Sequence, residues 1–464
     1  MNKFLLSVGA GLTVGLLYTA SPLLMWVLAA ILALLWTGGR GLPAAERRAL
    51  VAILGAALAV RLGVIAVLFV AGLPTHTDLS VGNLAGDDAY YLGRALRARD
   101  LLVGFANGRY DYFVVTDEYG RTSYLSLLTW IQVALGPTPY SMRALNAVFF
   151  VGGATLLFRT ARQAFGSVTA FAGLVVLLFM PSLIFSSVSM LKESLYFLLT
   201  SILLFACYHA WHARSARARA LGVVAVAAAV WLLDDLRRGA LILTVAGLSV
   251  AVAIRLIAAK PWRVAATVAI VVGLAGVGLT RPDLRARAVD GVVTAAKMHG
   301  GHVFTVGHAY KLLDEGFYMN PSAPSAWNLT LTEPQAARFV VRAAISFLVT
   351  PWPWEMASLS ELVYLPEHLM WYLCLAFLPA GLVAGWRRDP WLTSLLIGYA
   401  LPTAAVLALT NGNVGTLLRM RGLVMPYMLW LSVAGALAVA NALVASRRPT
   451  APSLTALVPE RPTA

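Results

Sequence analysis

The chain reads as an all-α polytopic membrane protein, with about 12 transmembrane helices and two long loops on one side that carry interfacial helices. Its 464 residues are 59% hydrophobic and only 12% charged, against roughly 25% charged in an average soluble domain. Apolar runs recur along nearly the whole length, and Leu50 to Gly72 holds Arg61 as its only charge. About 20 such residues cross a ~30 Å hydrocarbon core. Lys and Arg, finally, collect in alternate connections between these runs, as expected of cytoplasmic loops.

The expected spans run in order from the N-terminus. Phe4 to Thr19 and Leu23 to Trp36 come first. Lys3 before an apolar stretch looks like a secretion signal, but without a clear small-residue cleavage site it reads as an uncleaved span. Next come Leu50 to Gly72, Ala144 to Phe158, Val168 to Leu183, Ser194 to Tyr208, Leu221 to Leu233 and Ala240 to Ile254. Val264 to Leu279, Leu369 to Ala384, Trp391 to Thr410 and Leu423 to Val444 complete the set. Residues 1–47 thus hold two additional helices, 48–445 the main membrane domain, and 446–464 a Pro- and Thr-rich disordered tail.

With Lys3 in the cytoplasm, the inside connections carry Arg40, Arg47 and Arg48; Arg159 and Arg162; Arg214, Arg217 and Arg219; Arg255, Lys260 and Arg263; Arg387 and Arg388; and Arg447 and Arg448. Both termini are then cytoplasmic. The same map puts 18 of the 21 Asp and Glu on the outer side, although acidic residues barely influence insertion. That one-sidedness points to work done at the outer face.

Two outer segments are long, Leu73 to Arg143 and Thr280 to His368. Each contains an apolar piece too short to span, Ser123 to Leu135 and Phe339 to Val349, read as interfacial helices edged by Trp130, Trp352 and Trp354. Pro351-Trp352-Pro353-Trp354-Glu355 reads as a rigid interfacial turn. The formal charge of +15 is scattered at span ends rather than gathered on one soluble face, which argues against a nucleic-acid partner. Cys207 and Cys374 lie far apart inside apolar runs, so neither a disulfide framework nor a Cys-based metal site is indicated.

The most informative stretch is Gly86-Asp87-Asp88-Ala89-Tyr90-Tyr91-Leu92, just past a span. Adjacent carboxylates repel each other and cover no apolar surface, so anchoring does not explain them. A carboxylate within reach of an alcohol can take its proton as a new C–O bond forms, and a neighbouring carboxylate raises the pKa of one of the two. Asp87 also precedes a helical run and can act as its N-cap, a role compatible with catalysis.

Together with mid-span Arg61, the Tyr-containing piece Tyr124 to Gly136, Ser141-Met142-Arg143-Ala144-Leu145-Asn146 and Arg159-Thr160-Ala161-Arg162-Gln163-Ala164-Phe165-Gly166, this motif resembles the GT-C superfamily of membrane glycosyltransferases. The likeness is to the family-39-like enzymes that use polyprenyl-phosphate sugars, and it covers about Arg48 to Tyr208. The resemblance implies a GT-C-like membrane domain, preceded here by two extra spans, in a bacterial inner membrane. It implies an inverting hexosyl- or pentosyltransferase that moves a sugar from a polyprenyl-phosphate donor to a lipid, glycan or protein hydroxyl. It makes Asp87 the catalytic candidate and Asp88 its neighbour, with Tyr91 beside the substrate. A divalent metal, Mg or Mn, shared by Asp87 and Asp88 stays open.

Further along, Lys192 suits a lipid phosphate and Glu193 sugar hydroxyls, or else they snorkel and favour a helix N-terminus. In Asp234-Asp235-Leu236-Arg237-Arg238, the two arginines suit a phosphate leaving group, or the Asp and Arg residues pair and finish a hairpin. Arg419 and Arg421, following Asn411-Gly412-Asn413, lie on the outer side against the positive-inside trend and suit an anion. The alternative for Arg419 is loop folding through Asn413 or Glu355. His299, His302 and His308 with Asp314 and Glu315 match no strong metal spacing and read as solvated loop residues. The sequon Asn328-Leu329-Thr330 reads as accidental. Two other functions fit parts of the pattern. One is a glycan polymerase or ligase using polyprenyl-pyrophosphate oligosaccharides; the other is a flippase for such lipids, which would need mid-membrane charges beyond Arg61.

Overall fold

The computed structural model describes residues 2–72, 86–105, 108–117, 122–237, 239–305, 308–318, 330–355, 362 and 365–446. The Asp87 side chain, Arg238, Asn328 and the tail from 447 lie outside the described residues. The elements are α1 (Asn2–Ala20), α2 (Pro22–Gly38), α3 (Ala44–Gly72), α4 (Gly86–Leu102), α5 (Arg109–Thr116), α6 (Ser123–Leu135), α7 (Pro139–Phe165), α8 (Ser167–Phe179), α9 (Pro181–Val188) and α10 (Glu193–His212). They continue with α11 (Ala216–Leu236), α12 (Ala240–Ile257), α13 (Pro261–Thr280), α14 (Pro282–Val303), α15 (Glu315–Tyr318), α16 (Glu333–Val349), α17 (Leu365–Arg388), α18 (Pro390–Thr410), α19 (Val414–Arg421) and α20 (Met425–Ser446). An isolated antiparallel bridge, Ala309 to Asn413, is the one piece of β pairing among the described residues.

Nine of the described helices are long and apolar enough to cross a membrane, or ten if the bent pair α8 and α9 counts as one. The chain is therefore an all-helical, multi-pass membrane protein. α2 and the apolar part of α1, Ser7–Thr19, are shorter. Proline opens α2, α7, α9, α13, α14 and α18, where its missing N–H belongs to the unpaired first turn. Ser215 caps α11, Asn413 caps α19, and the Asp389 carboxylate accepts from the N–H groups of Trp391 and Leu392 at the start of α18.

The span expected over Val168 to Leu183 is not continuous. It breaks at Met180-Pro181 into α8 and α9, which meet at 61°, because Pro181 disfavours helical backbone at Met180 and has no N–H to continue the ladder. A straight helix would bond the Leu178 carbonyl to the Ser182 N–H. Arg61 donates to that carbonyl at 3.0 Å and to the Ser187 hydroxyl at 2.8 Å, while the Ser182 N–H donates to Glu367 at 2.7 Å. Both freed backbone groups thus find charged partners from other helices, as low-dielectric surroundings demand.

The two interfacial pieces are helices. α6 keeps the expected bounds, whereas α16 begins six residues before Phe339, at Glu333, because Thr332 and Gln335 form a capping box that starts it earlier. The rest of the second long segment is not simply loop: α14 fills Pro282–Val303.

α7 forms the centre of the bundle, with 78% of its apolar window buried, whereas α13 has none buried and faces outward on all sides. α17 and α20 touch backbone to backbone. A Cβ on Gly381 would lie 1.9 Å from the Leu431 carbonyl oxygen, and one on Gly435 would lie 2.1 Å from that of Phe377. Small residues at such a crossing allow dispersion contacts that larger ones would block.

Contacts between connections sort into two groups, one at each end of the bundle. At the first end Arg159 donates to the carbonyls of Thr37, Gly38 and Arg40, Arg162 pairs with Glu46, Arg388 donates to Phe165, and Tyr208 donates to Asp389. At the second end the segments around residues 88, 143, 190, 237, 310, 347 and 413–421 meet.

Candidate functional site

α4 begins at Gly86, which puts both aspartates in its first turn rather than at a cap. Asp88 is fully buried and pairs with Arg143 of α7 at 2.7 Å, and it also accepts from the Met190 N–H. Arg143 is itself buried and donates to the Val188 carbonyl. Three residues further along α7, the Asn146 amide donates to the carbonyls of Ser189 and Leu191 and to the Tyr124 hydroxyl. Asp88, Arg143 and Asn146 therefore knit the end of α9 and the non-helical corner Ser189 to Leu191 in place, supplying bonds that a regular helix would have made internally.

That corner and α9 form one wall of a cavity of about 330 Å³, with α19 as the other. Ser182, Ser186 and Ser189 face Asn413, Thr416 and Arg419 across it. Glu193, at the start of α10, lies 3.8 Å from the Arg419 guanidinium, so the two form an ion pair. Lys192 is half-buried, with its ammonium 6.0 Å from the centre of the Tyr91 ring. Tyr91 in turn meets Tyr124 edge to face at 5.6 Å. Arg237 reaches the same neighbourhood from α11: it donates to the Met420 sulfur at 3.1 Å and lies over the Tyr196 ring. Neither Asp234 nor Asp235 forms an ion pair among the described residues, so the hairpin is not closed by Asp-Arg pairing with Arg237.

Arg421 has a different task from the anion-binding one expected of it. It is 2% exposed and donates to the carbonyls of Ser346 and Phe347, while Trp371 and Tyr372 donate to those of Leu348 and Val349. These are the last four carbonyls of α16; that of Ser346 also accepts from the Thr350 N–H, and the other three have no donor from the helix itself. The cation also suits the negative end of the helix dipole. Burial lowers the Arg421 pKa to about 10, so it remains charged at neutral pH.

His299 is not solvated as expected. It is fully buried on α14, edge-on to Tyr310, Tyr318 and Phe339, and burial lowers its pKa to about 4. Among the described residues no group of three or more His, Cys, Asp or Glu side chains is placed to hold a metal. At Asp88 a cation would have to displace Arg143. The described half of the acidic pair thus does not fit Mg or Mn.

Beside the cavity, an apolar groove of about 420 Å³ runs between α16, α17, α18 and α20, lined by Phe347, Leu378, Leu382, Ala400, Ala404 and Leu431. Phe347 links the groove to α19, since its ring lines the groove and its carbonyl is held by Arg421. Comparison of the chain with protein-family models, curated proteins and solved structures found no match.

Of the residues singled out from the sequence, Asp88, Tyr91, Lys192, Glu193, Arg237 and Arg419 are brought to one end of the bundle. Arg143, Asn146, Glu367 and the three serines were missed. Arg143 carried a readable signal, because it too is an arginine on the side where positive charge is unexpected. Glu367 carried none, since only the bend at Pro181 gives it a partner.

Proposed function

We propose that the chain is an integral-membrane glycosyltransferase that takes a sugar from a polyprenyl-phosphate donor and transfers it to a lipid, glycan or protein hydroxyl on the outer face of the membrane. The observation that carries this reading is the meeting of the α4 aspartates' helix, Lys192, Glu193, Arg237 and Arg419 around one hydroxyl-lined cavity beside an apolar groove. Counting α1, α2 and the bent pair gives the twelve spans of the sequence map. The arginine-rich end is then cytoplasmic by the positive-inside trend, and the cavity opens on the outer side.

In this reading Asp87 takes the acceptor hydroxyl's proton while that oxygen attacks the anomeric carbon. The bond from this carbon to the phosphate oxygen breaks with inversion, and the electron pair leaves on polyprenyl phosphate. Lys192 and Arg419 offset the charge that develops there, Lys192 as a point charge and Arg419 through its paired N–H groups. Asp88 does not share the base role, because its carboxylate is already bound by Arg143 and Met190. The groove between α16 and α20 suits the isoprenoid tail, having walls without polar side chains.

Proteoliposomes carrying the full chain and a labelled polyprenyl-phosphate hexose or pentose test the reading. Label moving into a lipid or glycan fraction supports it. Absence of transfer from every donor of this class, with a folded protein, overturns it.

A further inference from the structure

A second cavity, of about 590 Å³, lies beyond the Ala309 to Asn413 bridge from the first, and Lys311, Arg342, Ser346, Trp352 and Glu355 line it. Its size falls within the ~300–1,000 Å³ usual for small-molecule sites. Arg342 and Leu312 also line an adjoining cavity of about 280 Å³ along α16, so the space is an elongated cleft. One wall is unusually firm. The α16 terminus is capped by Arg421, Trp371 and Tyr372, and the turn that follows carries Trp352 and Trp354 stacked at 4.8 Å with an 18° tilt. Pro351 and Pro353 restrict that turn. Glu355 accepts from the Trp352 backbone N–H at 3.0 Å, which ties its carboxylate to the turn, and Trp354 is 75% exposed.

We propose that this cleft binds an oligosaccharide bearing carboxylate or phosphate groups, and that this is the acceptor. A sugar ring presents apolar C–H faces and a rim of hydroxyls, so it needs flat aromatic surface together with donors and acceptors. The cleft offers both, with the Trp352 indole and the Tyr310 ring in its lining and hydrogen-bonding groups from Arg342, Ser346 and Glu355. Arg342 donates to the Leu312 carbonyl and still lines the cleft beside Lys311 and Glu355, a lining too polar for a lipid tail, whereas a lone anion would make no use of the Trp352 ring. Lys311 and Arg342 outnumber Glu355, which favours a negatively charged chain. The word acceptor rests on the transferase reading, whereas the binding site stands independently of it.

Saturation-transfer NMR on the full chain in nanodiscs, without donor, tests the site with trigalacturonate and maltotriose as probes. The expected result is binding of trigalacturonate, with maltotriose bound about tenfold more weakly. Trp352→Ala should abolish both signals, and Lys311→Gln, at an exposed position, should remove the preference for the uronate while leaving binding. Lack of binding by wild type, or equal binding by folded Trp352→Ala, overturns the site. If Trp352→Ala does not fold, equal preference in wild type and Lys311→Gln overturns it. Transfer without trimer binding removes only this assignment, and trimer binding without transfer removes only the transferase reading.

Discussion

Arg61, Arg143 and Arg421 are all buried, and each gives N–H groups to main-chain carbonyls at a place where a helix stops or bends. Arg419, half-exposed beside Glu193, is the cation left facing the cavity. Removing one partner of a buried pair is costly, so Asp88→Asn should destabilise the protein by about 3–5 kcal/mol through the stranded Arg143. Thermal unfolding in detergent checks this, and a variant as stable as wild type would contradict it. His299 gives a pH dependence. Its folded pKa lies near 4, below the ordinary 6.5, so between these values the unfolded chain binds more protons than the folded one. Stability should therefore fall as pH drops from about 6.5 to about 4, by at most about 3 kcal/mol, and His299→Phe should flatten that part of the profile. At this scale the sequence revealed which residues were out of place, Asp88 and Arg419 among them. It did not reveal their partners, because Asp88 and Arg143 are joined only by the fold.

The bend between α8 and α9 and the capped end of α16 are the elements that shape the two cavities. Arg61→Met leaves the Leu178 carbonyl unsatisfied in an apolar setting, a cost of about 1–3 kcal/mol. A lowered melting temperature together with loss of transfer is expected, because Ser182 and Ser186 lie on the helix that the bend aims. Gly381→Leu should be far more damaging, since the α17 and α20 backbones already touch there. Failure to recover folded protein is the expected readout, and normal recovery would contradict the close packing. Periodicity and apolar length made α6 and most spans legible. They did not expose the break at Pro181, because a proline between two apolar runs reads equally as a kink within one span. Nor did they expose α14, whose mixed polarity hides its 22-residue length.

For the whole molecule, the alternation of basic connections predicts two sides; the contacts of Arg159 and Tyr208 join connections from one set, and those of Asp88 and Arg419 join connections from the other. Reporter fusions after Arg99 and after Arg217 should therefore report opposite compartments; the same compartment for both would overturn the topology. The resemblance that suggests a transferase is carried by short motifs, and the proposal joins to it the convergence of these residues at one end. The most direct test compares transfer from a labelled polyprenyl-phosphate sugar by wild type, Asp87→Asn and Asp88→Asn, each normalised to folded protein. Loss of roughly 10²–10⁴-fold in Asp87→Asn, with a smaller loss in the folded fraction of Asp88→Asn, is the expected result. Full turnover by Asp87→Asn would contradict the assignment of the base, and with it the central claim.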